Sequence, residues 1–133
     1  MLTQLTISNY TTVELLELDF RSGMTVITGE TGAGKSVMLD ALALVVGGRA
    51  DSKAVRNEAP RADVNAIFDV SKEPTVKRWL KERDLFDGEE CLLRRVITSE
   101  GRSRAYINGQ PAPVQDLKNL GALLIDIQVA DRS

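Results

Sequence analysis

The chain has 133 residues, 43% of them hydrophobic and 27% charged, which is ordinary for one soluble globular domain, or part of one, with a real core. Its formal charge of −2 gives no overall attraction to nucleic acid, so any such contact has to come from a local patch. With no histidine and a single cysteine, Cys91, an internal disulfide is excluded, a transition-metal centre is disfavoured, and a reducing cytoplasm is the expected compartment.

Met1 runs straight into residues 2–7 with no basic region ahead of a long apolar segment, so no secretory signal is read. No uncharged run nears the ~18 residues that suggest a membrane span. Residues 2–8 alternate apolar with polar, with Leu5 and Ile7 on one face, and predict a half-buried strand. Residues 9–12 connect it to a second strand over 13–20. Arg21-Ser22-Gly23 then turns the chain into a short apolar, β-branched run over 24–28, a buried strand. Two strands meeting at a short loop predict an antiparallel layer beside the sheet that holds the buried strand.

The next eight residues organise the rest. Gly29-Glu30-Thr31-Gly32-Ala33-Gly34-Lys35-Ser36 fills the phosphate-loop pattern G-x-x-x-x-G-K-[ST], between a predicted strand and a predicted helix over 37–46 that Gly47-Gly48 closes. Glycines at 29, 32 and 34 let successive backbone N–H groups turn inward around a polyphosphate, and the helix start adds the positive end of its dipole. Lys35 is placed to reach the β- and γ-phosphates, and the Ser36 hydroxyl to bind the magnesium that bridges them.

Residues 49–62 are polar and mixed in charge and read as a surface excursion with at most a short helical turn. Its arginines either sit in solvent or reach nucleotide or DNA. Residues 63–70 alternate again, with Val64, Ala66, Phe68 and Val70 on one face. Pro74 opens a helix with Val76, Trp79, Leu80 and Arg83 on its inner side, Trp79 as a core anchor. Residues 91–98 and 103–107 form a hairpin, Cys91 is a small buried residue in it, and Asn108-Gly109 makes a tight turn. Arg94, Arg95, Arg102 and Arg104 concentrate on that hairpin. Alternation sets Arg94 and Arg95 on opposite faces, so on a regular strand the four do not make one patch. Residues 113–120 predict a short helix with Val114, Leu117 and Leu120 inward, 123–127 a buried strand, and 128–133 a polar tail.

Taken together the pieces resemble the N-terminal part of the RecN family, bacterial DNA-repair members of the SMC-like, ABC-type ATPases. The resemblance runs from Met1 to about Ile127. It rests on Leu5-Thr6-Ile7-Ser8-Asn9-Tyr10, the stretch from Gly23 to Ser36, Leu39-Asp40-Ala41-Leu42 and Gly47-Gly48-Arg49-Ala50-Asp51. It continues through Arg94-Arg95-Val96-Ile97 and Gly101-Arg102-Ser103-Arg104-Ala105-Tyr106-Ile107-Asn108-Gly109. It implies an α/β fold: a phosphate-loop head lobe whose nucleotide-binding sheet carries an added antiparallel β layer. Such heads have two lobes separated in sequence by a long coiled coil. No heptad-rich segment, Leu-Ser-Gly-Gly type signature or second lobe is present, so the chain reads as an incomplete head. Residues 1–127 are then the first lobe, and 128–133 a tail left by truncation or added by a vector.

The resemblance also implies ATP and Mg2+ as cofactors, with Gly29, Glu30, Thr31, Gly32, Ala33, Gly34, Lys35 and Ser36 around the nucleotide. As partners it implies the C-terminal lobe of the same protein, a second copy joined through ATP, and DNA, in a nucleoid-associated cytoplasmic protein with no membrane contact. Candidate DNA contacts are Arg56, Arg61, Arg102 and Arg104. The second metal ligand stays open. The family reads approximately Ile-His-Gly-Gln-His after the last strand, whereas here Ile127-Gln128-Val129-Ala130-Asp131 puts Ala130 at the matching position and Gln128 two residues early. Alternatively, Asp126 after an apolar run is the magnesium-binding acid of a generic phosphate-loop protein. No acid follows it to orient water, so the chain alone is expected to bind nucleotide without turnover. Two other functions remain: a self-contained small phosphate-loop kinase or nucleotidase, and an ATP-ordered interaction module without catalysis. A GTPase is disfavoured, since no Asn-Lys-x-Asp guanine reader is present.

Overall fold

The computed structural model describes residues 1–21 and 31–130, with only the backbone path for 31–35 and 128–130. The predicted strand over 24–28, the turn residues Ser22 and Gly23, and Gly29 and Glu30 of the motif lie outside the described residues. Among the described residues six strands are formed: β1 (Leu2–Tyr10), β2 (Val13–Asp19), β3 (Arg61–Asp69), β4 (Glu90–Thr98), β5 (Ser103–Ile107) and β6 (Gln110–Ala112). They make one sheet in the order β2-β1-β3-β4-β5-β6, antiparallel throughout. The β1–β2 pair is the antiparallel pairing that the two strands at a short loop predict, and the same sheet takes in the four strands that follow.

Three helices, α1 (Thr31–Val45), α2 (Pro74–Glu82) and α3 (Val114–Ala130), complete the described chain. Val37, Ala41, Leu44 and Val45 recur at helical spacing and bury one stripe of α1 against the sheet. The strands answer with two rows of inward residues, Leu18-Leu5-Ala66-Leu93-Ile107 and Leu16-Ile7-Val64-Arg95-Ala105. All are buried, and all but Arg95 are apolar. No helix among the described residues covers the opposite face.

Turn chemistry follows the sequence. Asn108 and Gly109 both take positive φ, 49° and 81°, as a two-residue type I′ hairpin turn requires. The Asn108 side chain accepts from Leu92 N and donates to the Leu85 carbonyl, which ties the turn to the β4 start. The excursion after α1 contains one 3-10 turn, Ser52–Ala54, and is pinned to the β1–β2 turn by Arg56 N donating to the Asn9 carbonyl.

Three expectations change. The predicted short helix over 113–120 and strand over 123–127 are instead one helix, α3, with Leu117, Leu120 and Leu124 buried at helical spacing. Gly121, the apparent break, packs against Val46: a Cβ there would sit 2.6 Å from the Val46 carbonyl oxygen. The predicted start of α1 at Val37 moves back to Thr31, because a formed helix propagates through glycine at about 1 kcal/mol per residue rather than stopping. Arg83 is exposed rather than inward, its guanidinium 3.9 Å from the ring centroid of the half-buried Trp79. There it keeps its charge in water while covering the ring.

Candidate nucleotide-binding site and arginine face

The phosphate-loop motif enters α1 from Thr31 onward. Thr31 to Gly34 supply the four opening N–H groups, which have no acceptor within a helix, and no acidic side chain stands in the first turn to occupy them. Free N–H donors at a helix start suit an anion. Ser36 is exposed on the helix, open to a metal or phosphate oxygen. Donor-rich backbone, an exposed hydroxyl and a lysine at 35 in sequence fit a magnesium-bound polyphosphate. The side chains of residues 31–35 lie outside what is described.

The far end of α1 is closed twice. Gly47 N donates to the Leu44 carbonyl at 3.1 Å and Gly48 N to the Ala43 carbonyl at 2.9 Å, a Schellman cap with Gly47 at φ 107°. Arg95, 1% exposed, reaches the same turn from β4: its Nη1 donates to the carbonyls of Leu44 and Gly48, both at 2.9 Å. Its Nη2 lies 3.4 Å from Ser103 Oγ. No carboxylate among the described residues pairs with Arg95, and burial lowers its pKa. The cation instead neutralises the negative end of the helix dipole. Sequence reasoning put Arg95 opposite Arg94 but gave it no partner. The available signal was a charge in the inward register of an otherwise apolar strand.

Asp126 is exposed on α3 and Gln128 lies in the same helix with its side chain outside what is described. The strand that would have delivered Asp126 to a metal is not formed. α3 also runs across position 127, where the lobe was expected to end.

Of the candidate DNA contacts, Arg61, Arg102 and Arg104 surround one hollow of about 450 Å3 on the uncovered sheet face, together with Arg94. Arg56 is not among its lining residues. Arg94 is bound by Asp63, with Nη2 to Oδ2 at 2.6 Å and Nε to Oδ1 at 3.0 Å, which raises the arginine's pKa. As alternation requires, Arg94 and Arg95 face opposite ways. Cys91 is fully buried, and burial pushes its thiol up to about 12. No helix among the described residues is long and apolar enough to cross a membrane.

Among known proteins, DNA repair protein RecN of Vibrio cholerae is 49% identical over 127 residues, and that of Bacillus subtilis 38% over 128. Each match takes in 96% of this chain but only 23% and 22% of the relative, so the chain spans about a quarter of the length of the relatives it matches. A chain solved in work on ATP-driven dimerization and DNA-stimulated activation of SMC ATPases superposes at TM-score 0.70 and 24% identity, covering 93% of this chain and 79% of that one. The SMC head domain from Thermotoga maritima gives 0.60 at 20% identity, covering 89% of this chain and 41% of that one. At such identities these likenesses show the fold alone, that of part of an SMC head domain. A family model described as an AAA domain matches residues 4–112, most of the chain, and the chain belongs to that AAA-domain family.

Proposed function

We propose that this chain is the ATP-binding lobe of a RecN-like ATPase that acts in repair of DNA double-strand breaks and recombination, and that closes on a second copy through ATP. The observation that carries the reading is α1: an N-terminus inside the complete Gly29 to Ser36 motif with no acid in its first turn, and a C-terminus neutralised by a buried arginine. The names and organisms of the relatives support DNA repair in a bacterium; the cytoplasm, at the nucleoid, is the compartment that goes with this reading. In this reading residues 29–36 hold the nucleotide, and Ser36 holds magnesium with Gln128 as its partner. The C-terminal part of the same protein supplies the group that orients water. Hydrolysis therefore belongs to the longer protein.

ATP and GTP titration together with turnover assays test it. The expected result is magnesium-dependent binding of ATP by this chain without turnover, and hydrolysis once the C-terminal part is added. Robust turnover by the chain alone, lost in both Lys35→Ala and Asp126→Ala, would make Asp126 the metal acid and the protein a self-contained enzyme.

A further inference from the structure

The uncovered face of the sheet carries two adjoining hollows, of about 450 and 290 Å3, that share Arg94 and Tyr106. Antiparallel pairing puts Arg61 opposite Thr98, and Arg104 opposite Val96, so guanidiniums from strands distant in sequence converge on the larger hollow. Arg61, Arg102 and Arg104 are exposed, and among the described residues none has a carboxylate within ion-pair distance. Among the described residues Glu100 is the only acid lining this hollow. Arg94 is already neutralised by Asp63 and lies 5.3 Å from the Tyr106 ring centroid. A chain of net charge −2 thus presents, among the described residues, three arginines without ion-pair partners on one face. The smaller hollow differs: besides Asp63, it offers the Tyr106 ring, the Asn65 amide and Leu92.

We infer that this face binds a single strand of nucleic acid, with phosphates among Arg61, Arg102 and Arg104 and a base against Tyr106. Guanidinium forks match phosphate oxygens, and an aromatic face beside an amide suits an unstacked base. An acidic peptide needs positive charge to continue across the second hollow, where Asp63 stands instead. A duplex keeps its bases stacked inside and leaves that hollow unused. Hollows of this size suit single nucleotides rather than a double helix. The choice of nucleic acid as the polyanion rests on the proposed function, whereas the site itself rests on charge and shape.

The test is fluorescence anisotropy on this chain with a labelled single strand of about 12 nucleotides. It is repeated with the matching duplex and with poly-glutamate, between about 50 and 200 mM salt, and ATP binding is measured alongside. Arg61→Gln combined with Arg104→Gln should weaken single-strand binding at least about tenfold. It should also flatten the log–log salt slope by about 1.4, two phosphate contacts for a single strand. Tyr106→Leu should weaken it about fivefold or more, and Arg78→Gln on α2 should leave it unchanged. Unchanged affinity and slope in the double variant would overturn the inference. So would absence of strand binding, duplex binding of equal affinity and arginine dependence, or displacement by poly-glutamate at equal charge. If ATP still binds while the arginines prove irrelevant, only this inference falls. If arginine-dependent strand binding persists without ATP binding, only the proposed function falls.

Discussion

Arg95 is the residue on which two parts of the fold meet. Burying a guanidinium without a carboxylate is unfavourable unless its donors are used, and here Nη1 satisfies two carbonyls at the end of α1. Arg95 Nε has no hydrogen-bond partner among the described residues, so the balance is between desolvation and the latch. We expect the latch to win, with Arg95→Met lowering unfolding free energy by about 1–3 kcal/mol in urea titration at an unchanged m value. A stabilised variant would show that desolvation dominates. Cys91 gives a prediction in pH. Its folded pKa of about 12 lies above the ordinary thiol value of 9.0, so the folded state keeps the proton longer than the unfolded chain. The stability this contributes is full below about pH 9 and is lost as pH rises towards 12, at up to about 1.4 kcal/mol per pH unit. Comparing wild type with Cys91→Ala from neutral to alkaline pH isolates the contribution, and parallel pH profiles for the two would refute it.

At the scale of elements, α3 and the end of α1 are held at glycine distance. A Cβ at Gly121 would meet Val46 O at 2.6 Å and Val46 Cβ at 2.7 Å, and one at Gly47 would meet Lys118 Cγ at 2.5 Å. In an exposed helix interior Gly→Ala stabilises by about 1 kcal/mol. At Gly121 the close backbone reverses the sign, and Gly121→Ala should destabilise by about 1–3 kcal/mol by thermal or urea unfolding. A gain in stability would mean that α3 stands off from Val46. The same contact explains what the sequence hid. Residues 122–125 form an apolar run that suits a buried strand or a buried helix equally, and the tertiary contact at Gly121 decides between them. Hairpin turns, by contrast, were legible because Asn108-Gly109 carries its conformation locally. The phosphate loop was legible as a pattern for the same reason. Grouping Arg61 with Arg104 was not, because it needs the pairing of β3 with β4 and of β4 with β5 across some forty residues of chain.

For the whole molecule, one sheet separates two kinds of surface. Its inner face carries α1, whose two ends differ: an N-terminus within the phosphate motif with no acid in its first turn, and a C-terminus closed by glycine and arginine. Its outer face carries the arginines without ion-pair partners among the described residues. The first of these is the proposed nucleotide site. It is tested most directly by isothermal calorimetry of magnesium-ATP against wild type and Lys35→Ala. Loss of a charge-assisted phosphate contact should weaken binding by about 1.5–3 kcal/mol, with the thermal transition of the free protein unchanged. Equal ATP affinity in a folded Lys35→Ala protein would contradict it.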